Sequence, residues 1–98
     1  MNEVQLKLDE DGNGSFLIMN GDEKLGEMVI SISGNILTAH HTEVSTKAEG
    51  RGLAKKLLSA MVEYARSNDL KVYPRCPFVH AQFKRYPDQY AGIWKKAI

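Results

Sequence analysis

Residues 42–54 decide how the chain is organised, and they read Thr42-Glu43-Val44-Ser45-Thr46-Lys47-Ala48-Glu49-Gly50-Arg51-Gly52-Leu53-Ala54. The segment begins as a strand, passes through a polar turn with a Gly-x-Gly, and becomes the first turn of an amphipathic helix. The first four N–H groups of a helix lack a partner within it, and the helix dipole adds partial positive charge there. Gly50 and Gly52 have no β-carbon, so a ligand can approach their backbone closely. The segment therefore predicts either a phosphate site or a tight strand-to-helix turn without a ligand.

Length and composition bound the class of protein. The chain has 98 residues, 43% hydrophobic and 26% charged, which predicts one soluble domain over residues 1–98. Its formal net charge of +1 does not favour nucleic-acid binding, and its one cysteine fits a reducing compartment. No apolar run approaches the roughly 20 residues of a membrane span, and the N-terminus lacks a basic-then-apolar signal. We therefore expect a cytoplasmic protein with neither nucleic acid nor membrane as a partner.

Four runs of strand-forming residues precede the helix. The runs are residues 4–8, 16–19, 24–33 and 36–44. Three short turns rich in Gly, Asn and Asp join them, which predicts an antiparallel meander. The first turn, residues 9–14, also matches the opening of a calcium-binding loop. Its twelfth position is Asn20 where a glutamate is needed, so we expect a plain hairpin and no metal site.

Downstream, the pattern predicts two helices separated by a strand. The first helix should run from Gly52 to Ser67 and end with Asn68 in a left-handed conformation. Residues 70–75 form a fifth strand, and Pro77 begins a second helix that ends at Arg85, before Pro87. A strand–helix–strand connection is normally a right-handed crossover, so the fifth strand should lie parallel to the fourth. The fold class is therefore α+β: a four-strand meander, a helix crossover to a parallel strand, and a C-terminal helix.

Cys76 falls at the N-cap of the predicted second helix. The unpaired N–H groups of a helix start favour a thiolate, so Cys76 is either a reactive thiol or an inert, buried side chain. His80 lies one helical turn later, where it can face the thiol.

Three motifs occur in order between Ile36 and Tyr90: the glycine loop with its helix, Cys76-Pro77-Phe78-Val79, and Tyr86-Pro87. The first resembles the acetyl-CoA-binding motif Q/R-x-x-G-x-G/A of GNAT-type N-acetyltransferases. Together the motifs resemble the minimal, YjdJ-like branch of that superfamily. The resemblance implies a GNAT-like fold and direct transfer of an acetyl group from acetyl-CoA to an acceptor amine. It also implies that the fourth and fifth strands diverge to admit the pantetheine arm.

The resemblance also implies residues that bind the donor. Val44 would bind pantetheine through its backbone, with its own or a neighbouring N–H polarising the thioester carbonyl. The residues around the pyrophosphate would be Lys47, Ala48, Glu49, Gly50, Arg51 and Gly52, with Leu53 and Ala54 beginning the helix behind them. Lys47 departs from the motif, because Gln or Arg is usual there and lysine meets a phosphate only as a point charge. Phe78, Val79 and Phe83 either line the pantetheine slot or pack in the core.

For the reaction, Glu43 stands where the superfamily often places its general base, acting directly or through water. His41 shares a strand face with Glu43 by the two-residue period, and it is a second candidate base. By the same period, His40, Thr42 and Val44 share the other face. The alternative for His41 and Glu43 is a hydrogen-bonded polar residue at a strand end.

For the acid, the superfamily often uses a tyrosine after the fifth strand, and Tyr86 is the best-placed candidate, with Tyr90 behind it. Cys76 is an alternative acid, a positioning group, or a transient acetyl acceptor. A short turn replaces the helices that typical members insert between the first two strands. We therefore expect an open acceptor side that suits an amine on a protein or a loosely selected amine, and not a small molecule buried in a tailored pocket. The alternatives are a non-catalytic CoA- or acetyl-CoA-binding module and a thiol-dependent enzyme that uses Cys76.

Overall fold

The structure, a computed structural model, describes residues 3–97. Its elements are β1 (Val4–Leu8), β2 (Asn13–Asn20), β3 (Glu23–Ser33), β4 (Ile36–Val44), a 3-10 turn (Thr46–Ala48), α1 (Leu53–Ser67), β5 (Lys71–Pro74), α2 (Pro77–Arg85) and α3 (Pro87–Tyr90). The sheet order is β1-β2-β3-β4-β5, with antiparallel pairs except for the parallel pair β4–β5. The predicted α+β fold is confirmed. Pro87 does end α2, but it also opens α3, which the sequence analysis left out.

The core lies between one face of the sheet and the apolar stripe of α1. Leu57, Met61 and Ala65 of this helix are fully buried, as are Met28 and similar apolar residues of the inner strands. Burying a side chain of this size stabilises the fold by about 1.5–3 kcal/mol. The helix sits close to the sheet because β3 carries a glycine beneath it. A β-carbon at Gly26 would lie 3.3 Å from Leu57 Cδ1.

Beyond β5, the C-terminal segment extends the edge of the sheet. The Val72 N–H donates to the Ile93 carbonyl at 2.6 Å, and the Val72 carbonyl accepts from the Lys95 N–H at 2.8 Å. These bonds place Trp94 in a parallel bridge with Val72. Phe83 of α2 stacks on Tyr90 with ring centroids 4.5 Å apart and meets Trp94 edge-on at 5.7 Å. The aromatic side chains thus fix the two short helices to the edge of the sheet.

The end of α1 corrects one prediction. Asn68 is not left-handed, with φ −112°; Asp69 is, with φ +55°. The Leu70 N–H reaches back to the Ala65 carbonyl at 2.8 Å, and the Asp69 N–H approaches the Arg66 carbonyl at 3.4 Å. This is the Schellman pattern, in which the left-handed residue is the one after the C-cap.

The turn between β1 and β2 is a hairpin held by its own aspartate. One carboxylate oxygen of Asp9 accepts the N–H groups of Asp11 and Asn13, each at 2.9 Å. Within residues 3–97, no cluster of three or more His, Cys, Asp and Glu side chains is arranged to hold a metal ion. No helix in the same range is long and apolar enough to cross a membrane.

Candidate functional site

A gap opens in the sheet where β4 and β5 part. The two strands pair only from Ile36 with Lys71 to Ala39 with Pro74, while β4 continues to Val44 alongside β3 alone. The Cys76 N–H then donates to the Ala39 carbonyl at 2.8 Å, which closes the inner end of the gap. At the other end, the Ser45 N–H donates to Leu25 on β3, at 2.8 Å.

The N–H and C=O groups of successive residues in a strand point alternately toward one neighbouring strand and toward the other. Because Ser45 points its N–H toward β3, the backbone groups of Thr42 and Val44 point toward the gap. The main-chain donors and acceptors of Thr42 and Val44 therefore line the gap, where an extended ligand can pair with them.

A β-bulge sits at this point of β4. Val29 pairs with His41 but Ile30 pairs with Ala39, so His40 is the extra residue. His40 Nε2 lies 2.7 Å from Ser31 Oγ, and Ser31 is two residues from Val29 on the face that also carries His41. The prediction that His40 shares a face with Thr42 and Val44 is therefore wrong, because the bulge breaks the two-residue period.

The glycine loop meets the outer end of the gap. Gly50 and Gly52 are left-handed, with φ +85° and +72°, and a β-carbon on either would have no neighbour within 4 Å. Gly52 is the N-cap of α1 and supplies no side-chain cap. The first bond of the helix is from the Lys56 N–H to the Gly52 carbonyl at 3.1 Å. The N–H groups of Leu53, Ala54 and Lys55 precede this bond and therefore have no partner within the helix.

The rest of the loop is a short 3-10 turn that the sequence analysis did not predict. Ser45 caps this turn: its Oγ accepts the Lys47 N–H at 3.3 Å, and its carbonyl accepts the Ala48 N–H at 2.9 Å. The Ala48 side chain is buried, whereas Glu49 and Arg51 are exposed. The Lys47 ammonium lies 3.3 Å from Glu23 Oε2. An anion at the loop would compete with Glu23 for this lysine.

His41 and Glu43 meet on the outer face of the sheet, the face opposite α1. His41 Nε2 and Glu43 Oε1 are 2.7 Å apart, and both side chains are more than half exposed. The predicted shared face is confirmed. The pair adjoins a shallow cleft of about 350 Å³, which Glu43 lines together with Val44, Gly26 and Glu27.

The sequence analysis missed Glu27, which lies directly across from Glu43 in the β3–β4 register. Its carboxylate accepts from Lys24 Nζ at 2.6 Å and from Ser15 Oγ at 2.7 Å. The hydrogen bond from Lys24, and to a smaller extent that from Ser15, holds the pKa of the Glu27 carboxyl below its ordinary value. Two carboxylates in cross-strand register repel each other, and here each is bound to a different basic partner. Only the strand register shows this arrangement, so no signal in the sequence could have found it.

Cys76 is buried, 2% exposed, at the N-cap of α2 as predicted. Its Sγ lies 3.2 Å from Thr42 Oγ1 on β4. This contact crosses the gap near its inner end and was missed by sequence reasoning, since the two residues are 34 positions apart. His80, whose spacing would allow it to face the thiol, instead packs edge-on against Trp94, with ring centroids 6.2 Å apart.

The remaining predicted residues lie on α2 and just beyond it. Val79 and Phe83 are fully buried, which core packing explains without a ligand, whereas Phe78 is half-buried. Tyr86 is 43% exposed between α2 and α3, with the Arg85 guanidinium 5.6 Å from its ring centroid. Tyr90 is buried against Phe83. Within residues 3–97, the Tyr86 hydroxyl forms no hydrogen bond with the groups around the gap.

The site thus consists of two diverging parallel strands that lead to a glycine loop at a helix start, and comparison with known proteins identifies the family. The sequence profile of the GCN5-related N-acetyltransferases matches residues 15–93. This chain belongs to that family. Comparison with curated protein sequences found no match.

Solved structures agree with this assignment. A GCN5-like protein from Staphylococcus aureus is 30% identical over 100% of this chain and 94% of its own, with a TM-score of 0.70. A ribosomal-protein-alanine N-acetyltransferase from Brucella melitensis is 16% identical over 92% of this chain and 66% of its own, with a TM-score of 0.63. Nourseothricin acetyltransferase is 18% identical over 85% of this chain and 66% of its own, with a TM-score of 0.58. The last two likenesses concern the fold alone.

Proposed function

We propose that this chain is a single-domain N-acetyltransferase of the minimal, YjdJ-like kind. It moves an acetyl group from acetyl-CoA directly to an acceptor amine, in the cytoplasm. The observation that carries the proposal is the divergence of β4 from β5 after Ala39 and Pro74. This divergence leaves a main-chain edge that runs from the buried thiol of Cys76 to the glycine loop.

The donor suits this gap in both shape and charge. Its pyrophosphate would accept N–H groups from Gly50 through Ala54, where the helix dipole and the unpaired amides favour an anion. The empty space beside Gly50 and Gly52 lets an anion approach that backbone. The pantetheine arm is an extended chain with amide groups. The backbone N–H and C=O groups of Val44 and Thr42 can hydrogen-bond to these amides in place of β5, which has diverged from β4 at this point.

The thioester supplies an activated acyl group, and side chains on the outer face of the sheet accept the proton that the acceptor amine loses. An acceptor amine is protonated near neutral pH and must lose a proton before it attacks. Glu43, hydrogen-bonded to His41, is placed to take that proton directly or through water. A main-chain N–H of the free β4 edge stabilises the negative charge that develops on the carbonyl oxygen.

The leaving thiolate needs a proton or a hydrogen bond. The Thr42 hydroxyl and the Cys76 thiol lie together at the inner end of the gap and supply this more directly than Tyr86, which is exposed beyond α2. We therefore place Thr42 and Cys76 ahead of Tyr86 as the groups near the sulfur.

The acceptor enters from the outer face of the sheet. Between β1 and β2 the chain has only a hairpin turn, so no helix from that connection covers His41 and Glu43, which stay more than half exposed. An open, shallow surface suits an amine carried on a protein better than an enclosed small molecule.

The first experiment is calorimetric titration with acetyl-CoA of the wild type, Gly50→Asp and Gly50→Asn. Both substitutions place a side chain of nearly equal size at φ +85°, and only aspartate adds a negative charge. We expect Gly50→Asp to bind at least about tenfold more weakly than Gly50→Asn, because a carboxylate opposes the pyrophosphate.

Equal affinities of the two variants would contradict a phosphate site at this loop. If the wild type binds acetyl-CoA, release of free thiol in the presence of amine-bearing peptides tests the transfer step. Binding without acceptor-dependent thiol release would indicate a non-catalytic acetyl-CoA-binding module.

A further inference from the structure

A second cleft lies at the β5 edge of the sheet, between that strand, α2 and the C-terminal segment. Its volume is about 440 Å³, within the range of sites for small ligands. Its lining residues are Tyr73, Pro74, His80, Lys84, Trp94 and Lys96. None of these six belongs to β4 or to the glycine loop, the two segments whose backbone forms the proposed donor site.

The floor of this cleft is a rigid aromatic surface. The residues on either side of Trp94 bond to Val72, and the Trp94 N–H donates to the Tyr90 carbonyl at 2.9 Å. Phe83 and His80 both meet the indole edge-on. Because backbone bonds and ring contacts hold Trp94 in place, a ligand that packs on it loses little additional entropy to order the site.

The charge around this floor has one sign. Lys84 and Lys96 line the cleft, and among residues 3–97 no acidic side chain lines it. The Lys96 ammonium lies 4.9 Å from the centroid of the Trp94 ring. The ion pairs found within residues 3–97 join Lys24 to Glu27, His41 to Glu43 and Lys47 to Glu23, so neither cleft lysine is neutralised in the described part of the chain.

We propose that this cleft binds a small aromatic anion, a planar ring that carries a phosphate or a carboxylate. The ring packs against the apolar surfaces of Trp94, Tyr73 and Pro74, and the anionic group is held between the ammonium groups of Lys84 and Lys96. Charge-assisted hydrogen bonds from two lysines favour an anion, and packing on the aromatic floor adds affinity only for an anion that carries a ring.

Trp94 is the single tryptophan of the chain, so its fluorescence reports directly on the cleft. The probes are phenyl phosphate and benzoate, which separate a phosphate site from a carboxylate site. Inorganic phosphate and benzyl alcohol supply the charge and the ring alone. We expect saturable quenching by one of the two aromatic anions, with an affinity at least about tenfold above those of both partial probes.

Three variants make the test specific. Lys84→Glu and Lys96→Glu should each weaken binding of the aromatic anion at least about tenfold, measured by calorimetry as well as fluorescence. Lys7→Glu changes the net charge equally at an exposed position of β1 and should leave the affinity within about twofold. Gly50→Asp should bind the probe as the wild type does, which separates this cleft from the donor site.

Equal weakening by Lys7→Glu and the cleft variants would reduce the effect to general electrostatic attraction and overturn the proposal. The proposal would also be overturned if inorganic phosphate quenched Trp94 as strongly as the aromatic anions do. It would be overturned as well if neither phenyl phosphate nor benzoate gave saturable quenching.

Discussion

Gly50→Ala separates the two explanations for the glycine loop, a tight turn and a ligand site. In the structure, a β-carbon at Gly50 meets nothing within 4 Å, so the methyl group causes no steric clash in the free protein. The cost is the left-handed backbone at φ +85°, about 1 kcal/mol for a residue with a β-carbon. For a domain of this size, that corresponds to a fall in Tm of about 4–8 °C.

Gly21→Ala is the matched control. Gly21 is also left-handed, with φ +60°, and a β-carbon there also has no neighbour within 4 Å, but it lies in the β2–β3 turn. Thermal unfolding should show similar losses of stability for the two variants. Only Gly50→Ala should weaken acetyl-CoA binding, by roughly ten- to a hundredfold, which is the loss of one charge-assisted hydrogen bond to phosphate.

Calorimetric titration below the Tm of both variants gives the decisive comparison. If Gly50→Ala binds acetyl-CoA as tightly as Gly21→Ala does, no ligand approaches this backbone. The glycines would then serve the turn alone, and the proposed donor site would have to be abandoned.

Three further outcomes are expected. Glu43→Gln should lower the rate of acceptor-dependent thiol release by about a hundredfold or more with little change in acetyl-CoA affinity, whereas Glu63→Gln, on the exposed face of α1, should change neither; a fall in affinity alone would refute a role as base. The pKa of Glu27 is lowered in the folded state, so its ion pair with Lys24 stabilises the protein above the ordinary glutamate pKa, and this stabilisation is lost as pH falls through the lower folded pKa. Thermal melts across this pH range should therefore show a smaller acid-induced fall in Tm for Glu27→Gln than for the wild type. Identical pH profiles of Tm would contradict this. Thr42→Val should cost about 0.5–1.5 kcal/mol in chemical denaturation because the Cys76 thiol loses its partner, whereas Thr42→Ser should be closer to wild type; equal losses would assign the effect to packing.

The sequence alone determined the five strands, α1, α2 and their order, because the signals for these elements are local, whereas it did not show the 3-10 turn or α3. Turn residues between strand-forming runs specified the meander, and Pro77 at the first position of α2 placed that helix with its observed ends. The usual right-handed crossover of a strand–helix–strand unit then predicted that β5 lies parallel to β4, as it does. The glycine loop was readable for the same reason, since Gly50 and Gly52 occupy left-handed positions next to a helix start.

The tertiary structure decided how the candidate site is assembled. The bulge at His40 depends on the pairing of β4 with β3, and it turns this side chain to the face opposite the one that the two-residue period predicts. The contact between Thr42 and Cys76 depends on where β5 leaves β4, and the facing of Glu27 and Glu43 depends on strand register. Such contacts join residues far apart along the chain, so their geometry follows from the packing of whole elements and from no local pattern.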